Sequence, residues 1–294
     1  MLTFKKMSKS DTEMVAEFIS TLNKLDTHHI GYCGTDAKEI ENTLREDITD
    51  VPYWESFLIA LDHDSFIGVL GFDADIENGS AEIWGPFVKE DYWTIVPEMW
   101  REMQSFLPSG IEKLYMFPNK NNISSLEFAK QEGFQIHSEQ TILEFEKVDF
   151  HHNKKPLEEI TEAHYSEFVS LHDHTFPSTY YNGDQIIARL NNHRKVFITK
   201  ESDVLTGYIY VEAEPEFGEA NIEFFAVHEQ YRGKGIGGQL LHCALQWIFS
   251  FTSINTVTLC VNASNVLAIT LYKRVGFTHV HDLVFLTKEM KSGR

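Results

Sequence analysis

The sequence predicts an α/β protein with mixed sheets, one fold present twice, and three observations carry that prediction. The 294 residues suit two domains, each large enough for its own core. Helical periodicity and short apolar runs follow one another in an order that occurs twice. The two passages also align without gaps: Phe197-Ile198 falls on Leu58-Ile59, Gly207 on Gly68, Ile222 on Ile83 and Val227 on Val88 at one constant shift. A second constant shift, slightly larger, puts Asn265 on Asn122 and Gly276-Phe277 on Gly133-Phe134.

Taken in order, residues 10–25 carry Met14, Val15, Phe18, Ile19 and Leu22 at helical spacing behind Ser10-Asp11, an amphipathic helix with its cap. A second helical pattern follows the Gly34-Thr35-Asp36 turn through Ile40 and Leu44. SFLIALDHDSFIGVLGFDAD reads as a hairpin, and SAEIWGPFV as a third strand. A Trp- and Met-rich helix over 95–106, a strand over 113–117, a helix over 124–131 and a closing strand, HSEQTILEFEK, complete the first copy.

VDFHHNKKPLEE is poor in apolar residues and carries a proline, so it reads as the linker. The expected domains are therefore residues 1–148 and 149–294. The copies differ where chemistry would sit. Where the second has Arg232, Gly233, Lys234, Gly235, Ile236 and Gly237, the first has Trp93, Thr94, Ile95, Val96, Pro97 and Glu98. Tyr272 faces Ala129, and Glu223 faces Trp84. A loop of Trp, Ile, Val and Pro keeps backbone away from a pyrophosphate, so the first copy is expected to be degenerate and non-catalytic.

The stretch NIEFFAVHEQYRGKGIGG reads as a short buried strand, a polar turn and a glycine-rich loop opening into the apolar helix QLLHCALQWIFSF. Gly233, Gly235, Gly237 and Gly238 remove side chains where backbone must approach a ligand, and Arg232 and Lys234 add positive charge. Unsatisfied N–H groups and the helix dipole favour an anion there. The P-loop pattern requires Ser or Thr after Gly-Lys, and Lys234 is followed by Gly235. The dinucleotide pattern G-x-G-x-x-G is met, but the next strand, over 256–261, ends in Asn262 rather than the carboxylate that pattern needs.

The remaining pattern, R/Q-x-x-G-x-G/A, is met by Arg232, Gly235 and Gly237 and resembles the acetyl-CoA loop of the GNAT acyltransferase superfamily. Downstream, LCVNASNVLAITLYKRVGF resembles the second signature of that superfamily, with Asn265, Tyr272, Gly276 and Phe277 on its positions. One departure is Glu229, where the family often has Pro. The resemblance implies two tandem GNAT-like folds, each with a central, mostly antiparallel sheet, the catalytic one over 149–294. It implies acetyl-CoA as co-substrate, no metal, and direct transfer to a primary amine in a ternary complex.

It also implies roles. Backbone of Phe225, Ala226 and Val227 would pair with the pantetheine arm, and the Val227 N–H would polarise the thioester carbonyl, worth about 3 kcal/mol. Residues 232–238, Arg232 through Gly238 with Ile236 among them, would hold the pyrophosphate. Tyr272 would protonate the departing thiolate, as a phenol with a pKa of about 10 can at neutral pH. Glu223, a carboxylate in an apolar strand, is a candidate base; by strand alternation it shares a face with Asn221 and Phe225. Asn265 either bonds the pantetheine or caps the following helix. Phe176, Tyr180 and Tyr181 either line the acceptor cleft or seal the gap between halves.

Composition narrows the partners. A formal net charge of −19 opposes polyanion binding, so no nucleic acid is expected, and it suits a cationic or neutral small-molecule or peptide amine. No apolar run reaches the roughly 20 residues of a membrane span, and a cytoplasmic protein is expected. Cys33, Cys243 and Cys260 suggest packed thiols, neither a disulfide framework nor a thiolate zinc site. The 14 histidines, including His28-His29, His151-His152 and the pair His172 and His174, read as surface residues, since i and i+2 diverge on a helix. Two rival classes are a non-catalytic acyl-CoA-binding module and a nicotinamide enzyme.

Overall fold

The computed structural model describes residues 1–150, 158–177 and 179–290. The chain divides into two compact units, Met1–Gln140 with His281–Arg294, and Thr141–Val280.

In the first unit, β1 (Leu2–Lys6), α1 (Thr12–Asn23), α2 (Ala37–Glu46), the single turn α3 (Tyr53–Ser56), β2 (Leu58–Asp62), β3 (Ser65–Asp75), β4 (Ser80–Val88), α4 (Val96–Gln104), β5 (Lys113–Met116), α5 (Ile123–Gln131) and the start of β6 (Gln135–Glu146) follow in order. Strands β1 to β4 form an antiparallel meander, and β5 joins β4 in parallel. One sheet face packs Leu58, Phe72 and Leu114 against Met99 and Trp100 of α4; the other packs Ile59, Phe57 and Phe87 against Ile19 of α1 and Ile40 of α2. Each large apolar side chain buried this way contributes about 1.5–3 kcal/mol relative to exposure.

The second unit repeats the plan: β7 (Glu158–Glu159), α6 (Tyr165–Thr175), α7 (Gly183–Arg189), β8 (Arg194–Glu201), β9 (Val204–Glu214), β10 (Glu219–Val227), α8 (Ile236–Ile248), β11 (Thr256–Asn262), α9 (Val266–Val275) and the start of β12 (Thr278–Glu289). Leu240, Leu241, Ala244, Leu245 and Ile248 form the stripe by which α8 covers one sheet face. Phe168 of α6 and Ile186 of α7 cover the other, over Tyr208, Tyr210 and Phe224.

The linear division expected at 148/149 misses a strand exchange. Residues 281 onward belong to the first unit, where the end of β12 lies antiparallel to β5 with Leu286 opposite Met116 and Lys288 opposite Leu114. In the second unit it is β6 that lies beside β11. Each unit is thus completed by the strand that sequence order assigns to the other copy, and two similar, half-exposed amphipathic strands give no local sign of the exchange. Two edge strands are also missed: β1, in which Phe4 alone is half-buried and the other four residues are exposed, and β7, which lies inside the expected linker and pairs Glu158 with Ile198. Residues 151–157 of that linker, His151 and His152 among them, lie outside the described residues.

Among the described residues no helix is long and apolar enough to cross a membrane.

Candidate active site

The second unit's sheet opens at β10. This strand pairs with β11 in parallel only at Asn221↔Thr258 and Ile222↔Leu259, while its pairing with β9 runs on to Val227↔Gly207. Beyond Ile222 the β11-facing edge of β10 therefore presents backbone groups outside the β11 ladder, and backbone polar groups require partners. The residues expected to run beside a pantetheine arm, Phe225, Ala226 and Val227, all lie on this stretch.

The glycine loop stands at the end of the opening. Gly235 is the N-cap of α8 at φ +82°, a conformation that excludes most side chains, and the first helical bond runs from the Gln239 N–H to the Gly235 carbonyl at 3.1 Å. The N–H groups of Ile236, Gly237 and Gly238 thus precede the ladder at the positive end of the helix dipole, an arrangement suited to a phosphate. A Cβ on Gly233, Gly235 or Gly238 would meet nothing within 4 Å, so these positions open outward. Gly237 has a different reason from the one expected: its Cβ would lie 2.7 Å from Leu271 and 3.0 Å from the Phe225 ring, so it serves the packing of α8. Arg232 is turned back, its Nε donating to the Val227 carbonyl at 3.0 Å, and Lys234 sits 3.8 Å from Glu201. Beside this loop a cleft of about 260 Å³ is lined by Leu171, Thr175, Val227, His228 and Arg232.

Glu223 marks the point where the strands part. The pairing of β10 with β9 shifts register between Ile222 and Phe224, a bulge at Glu223. The expected alternation fails there: Ile222 packs beneath α8, Phe224 packs beneath α6, and Phe225 turns to the α8 side, 6.1 Å from the Tyr272 ring. Glu223 accepts a hydrogen bond from the Tyr180 hydroxyl. Burial pushes its carboxyl up to about 7, against the lowering effect of that bond. A group poised near neutrality can accept a proton from an amine and return it to water.

Tyr272, on α9, is buried against Phe225 and Phe277, and burial pushes its hydroxyl above the ordinary phenol range, so it stays a proton donor. The Asn265 Oδ1 accepts from the Ala268 N–H at 3.2 Å, so of its two expected roles the structure displays the cap of α9.

Two features escaped the sequence reading. Glu212 lies beneath the bulge with Arg189 and Arg194 each at 3.0 Å and the Tyr210 hydroxyl donating to it. A buried carboxylate within an otherwise apolar strand was the available signal. His172, expected at the surface, is fully buried: its ring lies between Phe168, Phe176 and Phe224, bonded to the Tyr208 hydroxyl at 2.6 Å and the Tyr181 carbonyl at 2.8 Å. His28, His29 and His164 are buried as well. Helix spacing excludes a His172–His174 ligand pair but says nothing about which one faces the core. Among the described residues no group of three His, Cys, Asp or Glu side chains is placed to hold a metal ion.

The second unit thus holds a mixed sheet that parts beside a glycine-started helix, with a carboxylate at the fork. Residues 157–277 match the model of the acetyltransferase (GNAT) family, a match that lies within the second unit. The spermine/spermidine N(1)-acetyltransferase of Bacillus subtilis strain 168 is 27% identical over 135 residues, 44% of this chain and 70% of that protein. A GCN5-related N-acetyltransferase from Sphaerobacter thermophilus superposes with a TM-score of 0.74 at 13% identity, covering 98% of this chain and 95% of its own. A tandem GNAT protein from the clavulanic acid biosynthesis pathway gives 0.64 at 13% identity, over 100% and 99%. At such identities the likeness is one of fold, and it extends over both copies.

Proposed function

We propose that the second unit binds acetyl-CoA and transfers its acetyl group directly to a primary amine in a ternary complex, while the first unit is non-catalytic. The observation that carries this reading is the fork of β10 and β11, with Glu223 at its apex and the N-terminus of α8 at its mouth. The N–H groups of Ile236, Gly237 and Gly238, with Arg232, Gly233, Lys234 and Gly235, hold the pyrophosphate. Backbone of Phe225 and Ala226 pairs with the pantetheine arm, and Asn265 fixes the start of α9 beside it. The Val227 N–H stabilises the oxyanion that forms when the nitrogen attacks the thioester carbon. Glu223 takes the proton the amine must lose. As the C–N bond forms and the C–S bond breaks, Tyr272 gives its proton to the leaving thiolate and recovers one from solvent.

The acceptor arrives as a cation. Glu223, the aromatic face of Tyr180 and the net charge of −19 all favour an ammonium over an anion. Spermidine, a substrate named for the Bacillus relative, is the first acceptor to try. The test is thiol release from acetyl-CoA by the full chain with polyamines, amino acids, aminoglycosides and peptides. Release with a polyamine is expected; binding of acetyl-CoA without thiol release for any amine would replace this reading with an acyl-CoA-binding module.

A further inference from the structure

The described residues between α6 and α7, 176–177 and 179–182, are held at both ends, and Tyr180 among them packs on Phe224 of β10. The Phe176 N–H donates to the His172 carbonyl at 2.8 Å, the Gly183 N–H to Asp173 at 2.8 Å, and Asn182 caps α7 through the Gln185 N–H at 2.9 Å. Gly183 touches α6 so closely that a Cβ there would lie 2.7 Å from the Val169 backbone. Between these anchors the fully buried His172 reaches the Tyr181 carbonyl, and the neighbouring Tyr180 places its hydroxyl on Glu223 and its ring 4.9 Å from Phe224.

The partners of His172 fix its proton. A carbonyl only accepts, so Nε2 carries the hydrogen that bonds Tyr181, and the bare Nδ1 accepts from the Tyr208 hydroxyl. Burial holds the ring below its ordinary pKa and so keeps it neutral. Tyr208 stands on β9, the strand paired beside β10, so the sheet sets the ring and the ring sets the segment.

We propose that His172 is a positioning residue for Glu223, acting through the Tyr181 carbonyl and the Tyr180 hydroxyl, and that Tyr180 fixes the rotamer and proton affinity of that carboxyl. The inference rests on the role of Glu223 as base in the proposed reaction. Besides Tyr180, the charged groups acting on Glu223 are Glu212 and Glu214 of β9, which raise its proton affinity, and Arg189 of α7, which lowers it. Arg189 also stacks on the Tyr181 ring at 4.2 Å, so the segment's aromatic pair touches both the carboxylate and the cation that lowers its proton affinity. An ammonium acceptor reaching Glu223 takes the place of the Tyr180 hydroxyl, which makes that residue the side chain the acceptor must displace.

The test follows the Glu223 carboxyl carbon in protein labelled with 13C-glutamate, its signal assigned by its loss in Glu223→Gln. The wild-type midpoint is expected near pH 7. Tyr180→Phe, at an exposed position where folding is retained, should raise the midpoint by about one pH unit, because the carboxylate loses a charge-assisted donor. His172→Leu should reproduce that rise, and the double variant should rise no further. His172→Gln, whose amide can still donate to the Tyr181 carbonyl, should keep the midpoint within a few tenths of wild type. An unmoved midpoint in Tyr180→Phe would overturn the proposal. So would a His172→Leu protein that melts early yet titrates Glu223 as wild type does, since His172 would then only fill space. The readout needs no turnover: titration as expected, without thiol release for any amine, would sustain the positioning and count against the proposed reaction alone.

Discussion

In the first unit Asp73 of β3 stands opposite Glu82 of β4; in the second, Glu212 of β9 stands opposite Asn221 of β10 at the corresponding place. The two carboxylates of the first pair repel, and burial pushes Asp73 up to about 6 and Glu82 up to about 8, with Asp50, Asp47 and Asp75 adding to the former. Glu212 is also buried, yet its hydrogen bonds from Tyr210 and Arg189 and the charges of Arg189 and Arg194 hold it below the ordinary range. The same backbone position thus has opposite proton demand in the two copies, and the difference lies in whether the flanking helix and strand supply arginines. The loop contrast has the same form. The start of α4 has Ile95 as its cap, Pro97 in its first turn and Glu90 and Asp91 just before it, where α8 has Gly235, Lys234 and Arg232. One frame has been kept twice; the charge and the bare backbone that suit a phosphate occur once.

The largest expected effect probes that contrast directly. Gly235→Glu puts a side chain at φ +82° and a negative charge where the pyrophosphate is proposed to sit, and should weaken acetyl-CoA binding more than 100-fold by calorimetry. Binding of one equivalent at wild-type affinity would place the cofactor site elsewhere and erase the functional distinction between the copies. Tyr272→Phe comes next: removing the hydroxyl that Ala129 lacks in the first unit should cut kcat about 10²-fold with acetyl-CoA affinity unchanged. Equal loss in both would make Tyr272 a packing residue.

The carboxylate pair predicts opposite pH signatures. A carboxyl whose folded pKa is raised favours the folded state while protonated, so the contribution of Glu82 is present below its unfolded pKa near 4.5 and is lost as pH rises through about 8. Glu82→Gln should therefore raise Tm by about 3 °C at pH 9 and leave it unchanged at pH 4. Glu212 is depressed, so its contribution is present above the unfolded value and is lost as pH falls through the folded one. Glu212→Gln should cost about 3 kcal/mol at pH 7, with two arginines left uncompensated, and less in acid. Thermal melts of both variants across that pH range decide it. The smallest effect is Asn265→Ala, about 1 kcal/mol from loss of the α9 cap. The Asn122 side chain, which caps α5 and also donates to the His29 carbonyl, should cost more when removed.

The parts of this molecule legible in the sequence are those set by local rules. Gly235, the apolar stripe of α8, the caps at Asn122 and Asn265 and the repeat itself each depend on residues near one another in the chain. What the sequence hides depends on pairing. The bulge at Glu223 arises from the register of β10 on β9, and it sends Phe225 to the face opposite the one strict alternation assigns. His172 is buried because Tyr208, on a strand distant in sequence, and the Tyr181 carbonyl, beyond the end of its own helix, meet at its ring. The glycine at 237 is legible as a glycine but not in its reason, since its neighbour Leu271 comes from another helix. The strand exchange is invisible for the same cause: β6 and β12 are interchangeable by pattern, and only the assembled sheets choose between them.

That exchange fixes a schedule for biosynthesis. Leu283, Val284 and Leu286, which complete the sheet beside β5, leave the ribosome only after the entire second unit has been made. The first unit therefore lacks the strand that pairs with β5 through the translation of roughly half the chain, and an open strand edge is a ready template for wrong pairing.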